Sequence, residues 1–275
     1  MLRALAGYLA VAALKILGSF PPRFIVLLGT PWIPFYALIR PNLRRRLRYL
    51  KGHVSFPTPT PLAYYRMRLR LAALSLRHLT GHYQDSMIQV EGEEHYQAAC
   101  ASGKSVVILG WHQGPVELLH RIPSAPSNGR PFYIATIGGF TSPLSRFLKE
   151  GRKQKDKQVL DSKSLPSALR SWARQCGILA VMIDQVPGCP KDWLSLWSGT
   201  IEIPFPSNLW DWLKSRDTVF IAVSVRIGND GVTIVQYDPI KSDVTNFGKL
   251  LEQKLANAAD QYNWSYPKIR YNFSG

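Results

Sequence analysis

The chain has 275 residues, 46% of them hydrophobic, and a formal net charge of +16 at pH 7. This apolar content is ordinary for a packed core and argues against intrinsic disorder, and the length suits one large α/β domain or a domain with an extension. The three cysteines, Cys100, Cys176 and Cys189, form no CxxC pair and no even set. They therefore indicate neither a disulfide framework nor a zinc site, and they fit a reducing compartment.

Basic residues and apolar stretches are concentrated at the N-terminus. Residues 1–84 contain 13 Lys or Arg and no Asp or Glu, and a segment of one charge sign favours an anionic partner. Two apolar stretches, Ala4–Phe20 and Phe24–Ile39, are each short for a membrane span, which takes roughly 20 apolar residues. Together with the cluster Arg44–Arg48, they predict helices lying in a membrane interface, or a shallow hairpin, at the cytoplasmic leaflet. A cleaved signal peptide is the alternative interpretation.

A proline-rich break at Phe56–Pro61 divides the chain. We expect a membrane-associated helical segment over residues 1–55 and an α/β domain over residues 56–275. Immediately after the break, Leu62–Thr80 has the pattern of a helix, although Arg66–Leu71 also alternates as a strand would.

Strand and helix patterns then alternate. The predicted strands are Ile88–Gly92, Ser105–Gly110, Pro131–Ile137, Gln158–Leu160, Gly177–Ile183, Thr218–Ile227 and Val232–Tyr237. The predicted helices are Glu93–Ala101, Ser142–Gly151, Leu165–Cys176 and Val244–Tyr262. Gly228–Gly231 is a hairpin signal between the last two strands. This order predicts an α/β fold in which a mixed central sheet is flanked by helices.

The strongest chemical signal is the pair His112 and Glu117. The apolar run Ser105–Gly110 predicts a buried strand, and Pro115 favours a helix start, so His112 falls at the carboxyl end of a strand where open α/β sheets place reactive groups. A carboxylate one turn further on can hold the tautomer of the imidazole and stabilise its protonated form. These residues would remove a proton from a hydroxyl. The alternative is an ordinary loop histidine before a helix whose first-turn Glu117 is favoured by the dipole.

Other candidates carry weaker signals. Asp184 and Gln185 follow another apolar strand, where polar groups are site candidates, although an Asp there also commonly caps a turn. The basic stretch Arg146–Lys157 suits phosphates or a solvated helix face. The sequence contains no Gly-x-Ser-x-Gly elbow and no Gly-x-Gly-x-x-Gly fingerprint, and Gly103-Lys104-Ser105 is not a P-loop because it precedes a strand.

The order of these features resembles the bacterial lipid A biosynthesis acyltransferases, which belong to the lysophospholipid (glycerolipid) acyltransferase superfamily. The resemblance covers roughly residues 20 to 260. After the basic, apolar N-terminus, Arg40-Pro41-Asn42-Leu43 resembles the family's Asn-Leu turn, and the spacing of His112 and Glu117 matches the catalytic His-x4-Asp/Glu. Arg152 and the pair Asp184-Gln185 fall where the family has an Arg and an Asp-Gln.

The resemblance implies an O-acyltransferase at the cytoplasmic side of the inner membrane, with no cofactor, no metal and no nucleic-acid partner. His112 would act as general base on a hydroxyl of a lipid A precursor or related lipid, with Glu117 orienting the ring. The acyl donor would be a thioester of acyl carrier protein or CoA. Backbone N–H groups around Gln113 and Gly114, with Arg152, would hold the oxyanion, and Asp184 and Gln185 would complete the substrate site.

Departures from the family leave the specificity open. The chain is short for the family, and the usual aromatic-aromatic-Gly appears as Leu196–Gly199. A lysophospholipid, a glycolipid or an aminolipid is therefore an alternative acceptor. A non-enzymatic basic protein that binds anionic membranes or nucleic acid is the third hypothesis, although the basic residues accompany apolar stretches rather than a recognisable nucleic-acid fold.

Overall fold

The computed structural model describes residues 2–38, 40–121, 130–135, 142–152, 157–160, 164–184, 190–228, 230–241 and 243–273. The helices in these ranges are α1 (Leu2–Ser19), α2 (Pro22–Gly29), α3 (Ile33–Leu38), α4 (Pro41–His53), α5 (Pro61–Leu79), α6 (Glu93–Ala101), α7 (Pro143–Arg152), α8 (Leu165–Arg174), α9 (Ser207–Lys214) and α10 (Val244–Asn257). Short 3-10 helices cover Thr30–Trp32, Asp85–Met87, Val116–Arg121 and Ala259–Gln261.

The strands form two sheets. They are β1 (Ile88–Glu91), β2 (Ser105–Gly110), β3 (Phe132–Ala135), β4 (Lys157–Leu160), β5 (Ile178–Met182), β6 (Asp192–Leu196), β7 (Ile201–Phe205), β8 (Thr218–Ile227), β9 (Thr233–Ile240) and β10 (Arg270–Tyr271). The large sheet has the order β1-β9-β8-β2-β5-β3-β4, and the small antiparallel sheet has the order β10-β7-β6. Among the described strands of the large sheet, only β8 and β9 pair antiparallel, so the predicted α/β fold with a mixed sheet is confirmed.

Strand β2 lies in the middle of the large sheet and is buried along its whole length. Its alternate side chains enter two different cores: Val107 and Leu109 join one, and Val106 and Ile108 join the other. A strand buried on both faces needs an unbroken apolar run rather than alternation, which is the pattern that predicted it. The hairpin expected after β8 is also present, because the N–H of Gly228 donates to the carbonyl of Val232 at 2.8 Å.

The small sheet and helix α9 had no counterpart among the predicted elements. Strands β6 and β7 have five residues each, and Pro204 interrupts the second pattern. In the turn that connects them, the backbone is left-handed at Trp197 (φ 47°) and Ser198 (φ 53°), and non-glycine residues rarely adopt this conformation. The turn also contains Gly199 at φ 89°, but Trp197 does not favour a left-handed backbone, and the hairpin was not predicted.

Helix α5 resolves the ambiguity between helix and strand after the proline-rich break. Pro61 occupies the first turn, and the Thr60 side chain caps the helix by accepting the N–H of Ala63 at 3.2 Å. Proline at that position and a threonine cap both favour helix initiation. Helices α1, α2 and α3 all pack against α5, so the N-terminal segment lies on the body of the protein.

Helix α4 packs into one of the two cores that flank β2, while the division expected at residue 55 stays a prediction. Its leucines Leu43, Leu47 and Leu50 are buried in the same core as Val107 and Leu109 of β2. Residues 41–53 therefore contribute to the α/β body. No single described helix is long and apolar enough to cross a membrane, although α1 and α2–α3 together pass that test as a pair bent by 120°.

Gly114 lets the loop after β2 approach β8. Its φ is +67°, and a Cβ placed there would lie 2.1 Å from the carbonyl oxygen of Val225 in β8. Any side chain at this position would therefore force the loop away from the sheet. The helix expected from Pro115 is present as the 3-10 helix Val116–Arg121.

Replacing Gly114 by alanine is expected to destabilise the protein by about 3 kcal/mol or more, because the left-handed backbone penalty adds to the overlap with β8. Gly103→Ala is the matched control, since Gly103 has a φ of +72° but a Cβ added there would meet nothing within 4 Å. It should cost only about 1 kcal/mol. Urea unfolding of both variants measures the difference, and equal losses would contradict the importance of the close approach.

Candidate active site

The pairing of β2 with β5 brings His112 beside Asp184. These strands run parallel in a register that sets Gly110 opposite Met182, and the N–H of Ile183 donates to the carbonyl of Gly110 at 3.0 Å. Two residues further along each chain, the same register sets His112 opposite Asp184. The carboxyl ends of neighbouring parallel strands meet at one edge of a sheet, which is where α/β proteins assemble their sites.

The contact between His112 and Asp184 has two parts. The Nδ1 atom of the imidazole lies 2.8 Å from Oδ1 of Asp184, and the backbone N–H of His112 donates to Oδ2 at 2.9 Å. The Asp184 side chain is only 3% exposed, whereas that of His112 is 22% exposed. One carboxylate therefore fixes both the ring and its backbone, and the ring remains accessible to solvent. Among the described residues, Nε2 of His112 has no hydrogen-bond partner.

Tyr262 and Tyr266 surround the Asp184 carboxylate. Burial raises the pKa of Tyr262 well above its ordinary value, and the charge of Asp184 and a hydrogen bond to it raise that pKa further. Burial and the same charge also raise the pKa of Tyr266. Both phenols stay neutral, because ionising either one would place a second negative charge beside Asp184.

Glu117 forms a bidentate pair with Arg152, the last residue of α7. The Nε and Nη2 atoms of Arg152 donate to the two carboxylate oxygens of Glu117 at 2.7 and 2.6 Å. The side chains of Arg152 and Glu117 are 20% and 10% exposed, respectively, so water screens the pair only partly. Burial alone lowers the pKa of Arg152, but its hydrogen bonds to Glu117 and the charge of Glu117 outweigh this and raise it. Nη1 of Arg152 donates to no residue that the structure describes.

These contacts change the expected division of roles. The sequence suggested Glu117 as the group that orients the imidazole, whereas the structure places Asp184 at Nδ1 and Arg152 at Glu117. Contact between Glu117 and the ring stays a prediction. The resemblance implied that Asp184 would bind the substrate or stabilise the oxyanion. A buried carboxylate would, however, repel the negative charge that develops on the oxyanion. Its position suits holding the ring instead.

Gln113 and Gly114, for which the resemblance implies an oxyanion role, make hydrogen bonds within the protein. The N–H of Gly114 donates to the carbonyl of Gln261 at 3.1 Å, and that of Gln113 donates to Trp111 at 2.8 Å. The Gln113 side chain is buried, accepts from Nε1 of Trp111 and donates to the carbonyl of Lys254, both at 2.8 Å. These hydrogen bonds stabilise the loop, and an oxyanion role for Gln113 and Gly114 stays a prediction. Gln185 lies outside the described residues.

The C-terminal segment is hydrogen-bonded to the loop after β2, and the sequence showed no sign of this contact. The N–H of Asn263 donates to the carbonyl of His112 at 3.1 Å, and Gln113 forms an isolated antiparallel bridge with Tyr262. This C-terminal segment thus holds the backbone next to the imidazole. Its sequence has no motif, so only the contact itself identifies it. Within the described residues, no group of three His, Cys, Asp or Glu side chains converges as a metal site.

A double-mutant cycle tests the pair of Glu117 and Arg152. The variants Glu117→Gln and Arg152→Gln and their combination should give a coupling of about 1–3 kcal/mol in unfolding free energy, because the pair is largely desolvated. Lys104 and Asp217 form the control pair, since their side chains are 48% and 75% exposed. Their coupling should stay below about 1 kcal/mol. A similar value for both cycles would contradict a buried, ordered pair.

No protein-family model matches this chain, and no curated protein shows significant sequence similarity to it.

Proposed function

We propose that this protein is an O-acyltransferase in which His112 is the general base and Asp184 orients it. The observation that carries the proposal is the partly exposed imidazole whose Nδ1 lies 2.8 Å from a buried carboxylate. With a proton on Nδ1 shared with Asp184, Nε2 has a lone pair directed away from that carboxylate. A ring held in this tautomer is suited to remove a proton from a hydroxyl.

The reaction would proceed by direct transfer. The acceptor hydroxyl gives its proton to Nε2 of His112 while its oxygen attacks the carbonyl carbon of an acyl thioester. The tetrahedral intermediate then collapses, the carbon–sulfur bond breaks, and the leaving thiolate takes the proton from the imidazolium. The products are an ester and a thiol. Asp184 stabilises the imidazolium because its negative charge is 2.8 Å away.

Arg152 is the residue we propose for the oxyanion. Nε and Nη2 of its guanidinium are held by Glu117, which fixes the plane of the group and leaves Nη1 for a further acceptor. A preorganised donor of this kind stabilises the charge that develops in a tetrahedral intermediate. Glu117 then acts through Arg152 as well as through any contact with the ring. This assignment gives Glu117, five residues after His112, the role of positioning Arg152.

The N-terminal helices support action at a membrane. Eleven of the fifteen exposed large hydrophobic side chains in the described part of the chain lie between Tyr8 and Leu38. Leu27 and Trp32, for example, are 68% and 70% exposed. These side chains lie within residues 1–84, a segment with 13 Lys or Arg and no Asp or Glu, so together they suit an anionic bilayer. We propose that the protein works at the cytoplasmic face of the inner membrane.

We propose a lipid A precursor or a related bacterial lipid as acceptor, and acyl carrier protein or CoA as the carrier of the acyl donor. The support is the resemblance of the ordered motifs to the lipid A acyltransferases, together with an α/β fold that has a mixed sheet. We propose that this fold is glycerolipid acyltransferase-like. A lysophospholipid, a glycolipid and an aminolipid remain alternatives for the acceptor. Mass spectrometry of membrane lipids from cells with and without the protein identifies the acylated species. Unchanged lipids would argue against the proposal.

Substitution of the two proposed catalytic-centre residues tests the chemistry. His112→Ala should abolish acyl transfer, and Asp184→Asn should lower kcat by about 100-fold or more with little change in KM, because the amide no longer favours the basic Nε2 tautomer. His95→Ala, on the exposed surface of α6, is the matched control and should retain activity. Steady-state kinetics and circular dichroism check rate and folding. Wild-type turnover by a folded His112→Ala protein would defeat the proposal.

A charge placed on the apolar surface tests the membrane assignment. Leu27→Asp should weaken binding to anionic vesicles about tenfold or more, because an exposed leucine that would enter the bilayer is replaced by an anion. Met87→Asp, an exposed position outside the N-terminal helices, is the control and should have little effect. Cosedimentation with phosphatidylglycerol vesicles measures both. Equal binding by the two variants, or tight binding to duplex DNA without vesicle binding, would argue against this assignment.

A further inference from the structure

A cavity separate from the proposed catalytic centre lies where α4 begins against α5. Its volume is about 420 Å³, which falls in the range of small-ligand sites. We call it the arginine cavity, because three arginines line it. Its polar lining includes Arg40, Arg46, Arg68, Asn42, Tyr65 and Ser265.

The arginine cavity is strongly cationic. It has three arginines and no acidic residue in its wall, and neither Arg40 nor Arg68 has an acidic partner among the described residues. Among the described residues, Arg46 donates hydrogen bonds through Nη1 alone, to the carbonyls of Trp264 and Tyr266 at 3.3 and 3.1 Å, and its guanidinium also lies over the ring of Tyr271. Three guanidinium groups without counter-charges repel one another, so an anion entering the cavity would lower the electrostatic energy of the protein.

The Tyr65 hydroxyl is a second, independent sign of a ligand. Tyr65 lines the cavity, only 7% of its surface is exposed, and its hydroxyl is buried without a hydrogen-bond partner in the described part of the chain. Leaving a buried hydroxyl unpaired costs about 1–3 kcal/mol, and a bound acceptor would remove that cost. The wall also contains the first turn of the 13-residue helix α4, whose N-terminal dipole favours anions.

The cavity is lined in part by the C-terminal segment that is hydrogen-bonded to the loop of the proposed base. Asn263 lines the cavity, and its backbone N–H donates to the carbonyl of His112 at 3.1 Å. Nearby, the N–H of Ser265 donates to the hydroxyl of Tyr64 on α5 at 3.3 Å. A ligand bound by the arginines would therefore lie next to the segment that is hydrogen-bonded to the backbone of His112.

We propose that the arginine cavity binds a phosphate group of a substrate, through Arg40, Arg46, Arg68 and the Tyr65 hydroxyl. Phosphate fits because it accepts several charge-assisted hydrogen bonds at once, and the cavity has space for the sugar, glycerol or pantetheine group attached to it. Binding of phosphate rests on the cavity alone, whereas its assignment to a substrate rests on the proposed function. Two substrates carry this chemistry: a phosphorylated acceptor lipid and the phosphopantetheine arm of the donor.

The experiment measures calorimetric binding of three soluble probes to the full chain in mild detergent. The probes are dihexanoyl phosphatidate, 4′-phosphopantetheine and, as the neutral control, dihexanoylglycerol. Arg68→Gln should weaken binding of the phosphate probe about tenfold, and Tyr65→Phe about threefold, because each removes a donor to the anion. Arg66→Gln, an exposed arginine on the same helix, removes the same charge outside the cavity and should change binding less than about twofold.

Binding of either phosphate probe with this dependence on Arg68 supports the proposal, and the probe that binds identifies the acceptor or the donor as its source. The proposal is overturned if neither probe binds, if the neutral probe binds equally well, or if Arg66→Gln and Arg68→Gln weaken binding equally. Repeating the titration with His112→Ala separates the two proposals. Phosphate binding should persist in that variant, so loss of acyl transfer and loss of phosphate binding are independent outcomes.

Discussion

The parallel pairing of β2 with β5 is the constraint on which the site depends. Its register sets Gly110 opposite Met182, so residues two steps beyond each strand, His112 and Asp184, meet at the same edge of the sheet. The carboxylate then holds the imidazole at 2.8 Å and the backbone N–H at 2.9 Å. A shift of one residue in this pairing would turn every side chain of β2 to the other face and separate the two groups.

The loop after β2 is stabilised from several directions. Gly114 packs directly against the backbone of β8, and its N–H donates to the carbonyl of Gln261. The side chain of Gln261 in turn donates to and accepts from the backbone of Ile227 at 2.9 and 2.7 Å. Because sheet, loop and C-terminal segment are joined by buried hydrogen bonds, the imidazole has little freedom to move. Preorganisation of this kind is what a proton-transfer group requires.

Charge is distributed in a way that matches the two proposals. Around the loop after β2 the carboxylates have close cationic or imidazole partners, as Glu117 and Arg152 illustrate. In the arginine cavity, by contrast, three guanidinium groups share a wall without an acid. The paired charges near the loop after β2 hold one another in fixed positions. The guanidinium groups of the arginine cavity leave positive charge available for a ligand. The apolar surface of α1–α3 lies on the same N-terminal part of the chain as that cavity, so membrane contact and anion binding are proposed for neighbouring elements.

The sequence by itself determined the α/β class, most elements of the large sheet and the position of His112 after a buried strand. These features depend on local patterns: the apolar run of β2 and the proline that follows His112 are visible without tertiary contacts. Only the tertiary structure decided which carboxylate reaches the ring. His112 and Asp184 are 72 positions apart, and strand order, which brings them together, leaves no signature in local hydrophobic periodicity. The small sheet was missed for a related reason, since its short strands and left-handed turn are stabilised by packing rather than by residue preference.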